Sequence, residues 1–586
     1  MNMGRENKLL DLSVLLAVFL LITALALLNL QIFKASQYRT LSEENCFKKE
    51  IIVSVRGNIF SSDNVAVATS KRYFSLYGEV NKINMDAAAI SNLSELLAIP
   101  SESINTLIRI SRIYDERDVL LKSNLDIQTV TFIEENGGLY QGLSIKSHPR
   151  RYYPYDYLYA HAIGYVGNIT QNEYEKYKQS GYSITDFIGK TGIERVYEKY
   201  LKGLNGITYF ETDALGRVVR EIEKKNAVNK MNGDDVYITI NHAMQSYIDT
   251  LLKEEESGCV ILLDAKTGSV ISMYSKPSFD PNIFVYGVRR DTWDYMRRNP
   301  LSPFLNRCSD GVYPPGSTFK ILTTLAGIDL HIADSSTYFQ ECNGSIMIAN
   351  RIFRCWSTHH ELNLTEAFKQ SCDVYFYQLG MKIGLDQLAK YAYMSGFGDS
   401  TGIDILEESK GLVPDSRYLN KKYGKNGWGM GQTANLSIGQ GDLLVTPLQM
   451  ASFVLSIVND GKRIVPHIVD SILDKHSDIK FTYKTKISGK LPFDADALTY
   501  IKKCMFESVN GEGGTGAGAK KSKCLVAGKT GTAENSMGIP HAWFVSYFPY
   551  DDPQVVCVVV LENSGHGGEI AAPLVSKIAD KWMELK

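Results

Sequence analysis

The sequence predicts an α+β protein with a single N-terminal membrane helix, a β-rich domain, and a C-terminal domain built on a central antiparallel sheet flanked by helices. Three observations predict it. A chain of 586 residues exceeds what one ordinary core holds. Its N-terminus carries an unbroken apolar run. Past a polar, turn-rich stretch near residue 232, strands interleave with longer helices and hairpins stand at both ends.

Residues 1–11 read as a short tail and 12–33 as the membrane helix. Leu12 to Leu28 is apolar without a break and runs on through Phe33, and about 22 helical residues cover about 30 Å, enough for a bilayer. A cleaved signal peptide is the competing reading, with Ala24-Leu25-Ala26 as its site, but the run is longer than a signal core and continues past that site. Arg5 and Lys8 put the tail in the cytoplasm and the rest of the chain outside.

Residues 34–232 mix short β-type runs ("KEIIVSV", "RYFSLYGEV") with helical stretches and end in "KKNAVNKMNGDD". From 233 to 586, "GCVILLDAKTGSVISMYS" reads as a hairpin turning at Lys266-Thr267-Gly268, and "HAWFVSYFPY", "QVVCVVVLE" and a final helix close the chain. With 22% charged residues and a net charge of -2, the composition excludes an electrostatic footprint for nucleic acid. Nine cysteines in so long a chain are no disulfide scaffold.

The string GKTG occurs twice. In the first copy Thr191 precedes Glu194 and a helical run, the pattern of a capping box that leaves Lys190 a loop lysine. In the second, Lys529, Thr530, Gly531 and Thr532 follow "CLVA" on an extended strand. Alternation puts Lys529 and Gly531 on one face and the threonines on the other, and a glycine there marks close approach of another backbone.

Two Ser-x-x-Lys strings occur. Ser477 to Lys480 lies in a polar surface turn. Ser317 to Lys320, in "GVYPPGSTFKILTTLAGID", follows a Pro-Pro-Gly stop and opens a helix apolar nearly all round. Its serine sits at the positive end of the helix dipole with the lysine one turn away. Burial would lower the amine's pKa and let Lys320 take the serine's proton.

Between these falls Ser371-Cys372-Asp373. The order Ser-x-x-Lys, Ser-x-(Asn or Asp), Lys-Thr-Gly resembles the active-site set of the penicillin-binding proteins and serine β-lactamases. "SVRGNIF", "RRYYPYDYLYAHAIGYVG" and "GKTGIERVYEKYLKGLNG" resemble the elongated N-terminal pedestal of class B penicillin-binding proteins, and "SFDPN", "YPPGSTFK" and "SIGQGDLLVTPLQMA" their transpeptidase domain. "SCDVYFYQLG" looks most like the elongation type. Asp373 stands where the general motif has Asn, as in that subgroup, which puts the usual amide contact to substrate in doubt.

The resemblance implies a peptidoglycan D,D-transpeptidase. Ser317 attacks the penultimate D-Ala carbonyl of a stem peptide with Lys320 as base, and backbone N–H groups of Ser317 and Thr532 form the oxyanion hole. Ser371 relays a proton to the leaving amine and Asp373 aids position. Lys529, Thr530 and Thr532 hold the donor's terminal carboxylate, and Gly531 lets the peptide lie against the strand. The strand alternation conflicts with both faces reaching one substrate. β-Lactams should trap Ser317. The resemblance also implies work beside a RodA-type membrane glycosyltransferase in the elongation machinery, with the catalytic domain on the outer, periplasmic face of the cytoplasmic membrane. A water acceptor, making a D,D-carboxypeptidase, stays open, as do a β-lactamase or sensor, a division-type transpeptidase, and a structural activator of the partner polymerase.

Cys342, Cys355, His359 and Cys372 are separated by 12, 3 and 12 residues, and three thiolates with one imidazole make a structural zinc set. Elongation-type relatives resemble this in carrying metal-type ligands at corresponding places. A Cys342 to Cys355 disulfide and separately buried thiols are the alternatives, and His360 is a substitute for His359. "GEGGTG" at 511–516 fits a dinucleotide fingerprint literally but opens no helix, and is expected to be a mobile loop. His541 is expected to pack near the Lys529 strand. Cys46, Cys259, Cys308, Cys504, Cys524 and Cys557 are expected to be small apolar fillers.

Overall fold

The computed structural model describes the chain apart from residues 1–2, 36–46, 81, 84–85, 114–117, 183–185, 213–217, 223–226, 286, 289 and 536–537. Cys46 lies outside the described residues. The chain divides into two compact units, one of residues 1–55 and 203–232, the other of residues 56–202 and 233–586.

In the first unit, helix α1 (Met3–Leu28) continues as a π-helical turn through Phe33. Within it Leu12–Phe33 is long and apolar enough to cross a membrane, and none of it is buried against protein. Phe47–Ile52, Gly206–Thr212 and Val218–Ile222 form a three-stranded antiparallel sheet.

The second unit contains two large sheets. In one, the long strand Ala66–Glu79 pairs with Leu143–Tyr152, while Ile59–Phe60 runs parallel to Asp235–Ile238, which in turn pairs with Val469–Leu473. Residues 56–202 therefore share a sheet with the C-terminal half, because the strand that opens that half completes its ladder on the earlier segment. The position 232/233 falls on an edge between the units.

The other sheet carries the site. It consists of β1 (Gly258–Asp264), β2 (Val270–Lys276), β3 (Ala527–Ala533), β4 (His541–Phe548) and β5 (Val555–Leu561), in the order β2-β1-β5-β4-β3 and antiparallel throughout. The central strand β5, "VVCVVVL", is buried at every position, as a strand covered on both faces must be. Pro447–Val458 and the C-terminal helix, Ala571–Leu585, pack on it. β1 and β2 form the expected hairpin. Its turn is tied by Asp264 Oδ1, which accepts from the N–H groups of Lys266 and Thr267 at 3.0 and 2.8 Å, with Gly268 at φ +76°.

The first GKTG copy departs from its expected role. Thr191 starts its helix without a side-chain cap, and Glu194 is fully buried. Its carboxylate takes Arg56 Nε at 2.6 Å, the Arg151 guanidinium and the Tyr153 hydroxyl, while Glu198 takes Arg56 Nη2 at 2.7 Å. Two buried guanidinium groups demand counter-charge far more strongly than one helix N–H demands a cap, so the glutamate is drawn inward. Lys190 ion-pairs with Glu173 at 2.5 Å.

Candidate active site

The nucleophile candidate sits on a tight turn. Pro315 leads into a 3₁₀ turn, Gly316–Phe319, and the α-helix proper, α2 (Lys320–Asp329), begins one residue after it. Gly316 has φ +55°, and its N–H donates to Gly439 O at 2.9 Å. A Cβ on Gly439 would lie 2.2 Å from Gly316 O, so both glycines are needed for the close crossing. Tyr313, ahead of the turn, is anchored through its hydroxyl to Glu562 at 2.6 Å, and Arg307 Nε binds the same carboxylate at 3.0 Å. This presents Ser317, part-exposed, to the cleft.

Lys320 is fully buried. Its Nζ donates to Ser371 O at 2.8 Å, lies 3.2 Å from Ser371 Oγ, and pairs with Asp373 Oδ1 at 2.7 Å. The carboxylate is what reasoning from burial alone missed, since it places an acid directly on the buried amine. Burial pushes the Asp373 carboxyl up from its ordinary value, and the Lys320 charge opposes it. Ser371 is held at φ +57°, a left-handed conformation uncommon for serine and frequent at functional sites. Its N–H donates to Phe368 O at 3.1 Å and that of Cys372 to Ala367 O at 2.9 Å. This kink ends Leu364–Lys369 and lets α3 (Asp373–Ile383) start at Asp373.

β3 resolves the conflict of faces. It is the edge strand of its sheet. Thr530 and Thr532 line the cleft, whereas Lys529 is fully buried behind it. The Lys529 Nζ donates to Thr530 O at 3.3 Å and lies 5.6 Å from the Phe368 ring. Burial first, and then the Lys320 charge, hold its amine well below the ordinary lysine value, with Asp373 opposing. The lysine thus takes the inner face beside Lys320 and Asp373, and only the threonines face a ligand. A Cβ on Gly531 would lie 2.9 Å from Pro315 O, so the glycine lets the nucleophile turn approach β3. Thr532 O accepts from Gln440 Nε2 at 3.2 Å. On a strand the N–H of a residue points the same way as its carbonyl, so the Thr532 N–H faces out of the sheet toward the Ser317 turn.

The cleft has a volume of about 930 Å³ and is lined by Ser317, Ser371, Asp373, Thr530 and Thr532 together. Several lining residues escaped the sequence reading. Thr515 comes from the glycine-rich loop, which is a packed wall of the cleft rather than a mobile loop. Gly516 N donates to Ser508 O at 2.8 Å, and Thr515 Oγ1 hydrogen-bonds Thr530 Oγ1 at 2.8 Å. The glycines allow that packing, since a Cβ on Gly514 would lie 2.5 Å from Ser508 O and one on Gly568 2.5 Å from Thr515 O. Gln440, in "SIGQG", and His566, 3.5 Å from Thr532 Oγ1, carried no signal of their own. His541 packs edge-on against Tyr313 and its Nδ1 accepts from Asn563 N at 3.1 Å.

Beside the Ser371 loop, single ligand atoms of Cys342, Cys355, His359 and Cys372 all lie within 4.8 Å of one another. His359 Nδ1 is 3.6 Å from Cys342 Sγ and 3.5 Å from Cys355 Sγ. Zinc bonds of about 2.3 Å to sulfur and about 2.0 Å to nitrogen at the tetrahedral angle give an S···N edge of about 3.5 Å, so the donor set fits. His360 is not in the group, and the described cysteines, Cys342 and Cys355 included, are free thiols. Of the remaining thiols Cys259, Cys308, Cys504 and Cys557 are buried, while Cys524 is half-buried.

A serine at a helix start, a buried lysine one turn on, and a second serine on its amine beside an edge strand define a serine-lysine acyl-transfer fold. Residues 258–580 match the family of the penicillin binding protein transpeptidase domain, and residues 51–238 the penicillin-binding protein dimerisation domain. The chain is 31% identical to the peptidoglycan D,D-transpeptidase MrdA of Acinetobacter baumannii, over 97% of this chain and 86% of that one. Its structure is similar to that of the penicillin-binding protein PBP2 of Helicobacter pylori solved in complex with MreC, with a TM-score of 0.79, 26% identity, and coverage of 92% and 99%. A chain from a peptidoglycan synthase complex that coordinates polymerization and crosslinking is similar over 99% of both chains, with a TM-score of 0.72 and 25% identity. The chain belongs to the penicillin-binding protein transpeptidase family.

Proposed function

We propose that this protein is a peptidoglycan D,D-transpeptidase of the elongation machinery, acting through an acyl-enzyme on Ser317. The observation that carries the reading is the buried contact of Lys320 Nζ with Ser371 and Asp373 in a cleft that Ser317 also lines. Ser317 attacks the penultimate D-Ala carbonyl, its proton passing to the Lys320 amine, which is free to take it once its own ammonium proton has moved onto the Asp373 carboxylate 2.7 Å away. Serine nucleophiles without substrate are often loosely placed and tighten when the acyl donor binds. The N–H groups of Ser317 and Thr532 receive the developing oxyanion. Ser371 Oγ, 3.2 Å from Lys320 Nζ, returns the proton to the leaving D-Ala. The Thr530 and Thr532 hydroxyls hold the terminal carboxylate, and buried Lys529 contributes positive potential from behind Thr530 rather than direct contact. An amine of a second stem peptide then takes the acyl group.

Cys342, Cys355, His359 and Cys372 would hold a structural zinc, which would tie their segments together and supply no chemistry at the acyl group. Asp373 N donates to Cys355 Sγ at 3.2 Å, so the ligand loop and the start of α3 are one piece. Residues 34–232 serve as the pedestal and 233–586 as the transpeptidase domain. Arg5 and Lys8 argue for a cytoplasmic tail and a periplasmic catalytic domain. The synthase-complex relative and the MreC-bound one support partners of those kinds, and a RodA-type glycosyltransferase is the partner the family resemblance adds.

Intact mass after incubation with a penicillin is expected to show one adduct on the wild-type chain and none on Ser317→Ala. An adduct that survives the substitution refutes the assignment of the nucleophile.

A further inference from the structure

Three charged residues that the reaction as described does not use line the cleft, Arg354, Glu534 and Glu569, and the first two bear on the strand that carries the threonines. Arg354 ends the hairpin of Ser345–Ile348 and Arg351–Arg354, and Glu534 follows β3 directly. Both line the cleft with Ser317. Neither the Arg354 guanidinium nor the Glu534 carboxylate has a side-chain hydrogen bond or ion pair among the described residues, and they do not pair with each other. Tyr377 lines the same cleft. Its hydroxyl donates to Arg354 O at 3.2 Å.

β3 works as a ruler for the donor peptide. Residues of one strand alternate faces, and Thr530, Thr532 and Glu534 all line the cleft. An extended donor laid along this edge strand keeps step with it at about 3.4 Å per residue. With its terminal carboxylate at Thr530 and its reacting carbonyl at the Thr532 N–H, it continues toward Glu534. The residue before the retained D-Ala then comes abreast of Glu534, in the cleft that Arg354 also lines. In a stem peptide able to cross-link, that residue is the natural carrier of the side-chain amine the reaction needs. An ammonium alone would satisfy Glu534 and leave Arg354 unpaired. A side chain ending in both an ammonium and a carboxylate would satisfy both, and guanidinium groups bind carboxylates in two-point fashion.

We propose that Arg354 and Glu534 are specificity-determining residues that read the third residue of the donor stem peptide as a diamino diacid, its terminal carboxylate on Arg354 and its ammonium on Glu534. The proposal rests on the transpeptidase reading above.

The test uses the full-length chain in detergent and four synthetic pentapeptides ending in D-Ala-D-Ala. They differ only at the third residue, which is 2,6-diaminopimelate, its side-chain carboxamide, lysine or norleucine. Release of D-Ala gives kcat/KM for each. The diaminopimelate donor is expected to exceed the carboxamide and lysine donors about tenfold, the scale of one charge-assisted contact. Arg354→Gln should bring that ratio near one, and Arg354→Lys should restore part of it. Glu534→Gln should remove the advantage of lysine over norleucine. Because each ratio is taken within one variant, a general disturbance of the cleft lowers all donors together and leaves the ratios standing. Equal rates for all donors on the wild-type chain, or a preference unchanged in Arg354→Gln, overturn the proposal. So does failure to release D-Ala from any donor while penicillin still labels Ser317. Absence of that labelling overturns the underlying reading instead.

Discussion

A methyl group added at Gly531 would stand 2.9 Å from each of Pro315 O, Thr318 Cγ2 and Trp543 Cβ. None of these is the loose end of a side chain. Pro315 and Thr318 belong to the turn that carries Ser317, and Trp543 is fully buried on β4. Gly531→Ala must therefore push β3 and the nucleophile turn apart by several tenths of an ångström. Overpacking of this kind costs about 1–3 kcal/mol of stability. The larger effect falls on chemistry, because the displacement opens the gap between Ser317 and the Thr532 N–H, and an error of about 1 Å in a reacting geometry costs about a hundredfold. We expect the second-order rate of acylation by a fluorescent penicillin to fall about 10- to 100-fold, with a smaller loss in thermal stability. Gly138→Ala is the control, since nothing lies within 4 Å of its added Cβ. A folded Gly531→Ala chain acylating at the wild-type rate would refute the claim that this glycine sets the distance between strand and nucleophile.

Purified protein should carry about one zinc per chain by elemental analysis, and Cys355→Ser should lose it together with acylation rate. Full activity in metal-free protein would end the zinc assignment. Glu194→Gln leaves the buried Arg151 guanidinium without its carboxylate and Arg56 with Glu198 alone, so chemical denaturation should show a loss of about 3–5 kcal/mol. An unchanged midpoint would mean that the network is solvated. Burial, then the Arg307 charge, lowers His161 to about 4. The unfolded chain therefore binds this proton first as pH falls below 6.5, and stability is lost between pH 6.5 and about 4, by about 3 kcal/mol at full effect. His161→Phe should flatten that part of the stability profile, and an unaltered slope would show that another group is responsible.

Much of the site was legible because its parts are short strings whose chemistry depends on local geometry. Ser317 and Lys320 are one helical turn apart whatever surrounds them, and Ser371 to Asp373 forms a tight kink within its own few residues. The hairpin at Gly268 was legible for the same reason. Alternation on β3 also placed Lys529 and Thr530 on opposite faces correctly, but it could not say which face held the cleft. The capping box at Thr191 failed for the converse reason. The local pattern was present, but Arg56 and Arg151, distant in the chain, supplied a stronger partner for Glu194. The glycine-rich loop at 511–516 read as mobile because glycine is flexible alone, whereas here the same lack of a side chain lets it pack against Ser508 and Gly568.

From composition and order alone came the membrane helix, the class of fold, the family resemblance and the residue types that act. Those rest on backbone hydrogen bonding and hydrophobic periodicity, which operate within a few residues. The tertiary structure alone decided that Asp373 meets Lys320, that Lys529 lies behind the cleft and that Thr515 joins Thr530. It alone put Arg354 and Glu534 into one cleft. Each of those contacts spans from about 15 to about 180 residues. Such distances are set by the packing of helices and sheet against one another, and no local preference of the chain encodes them.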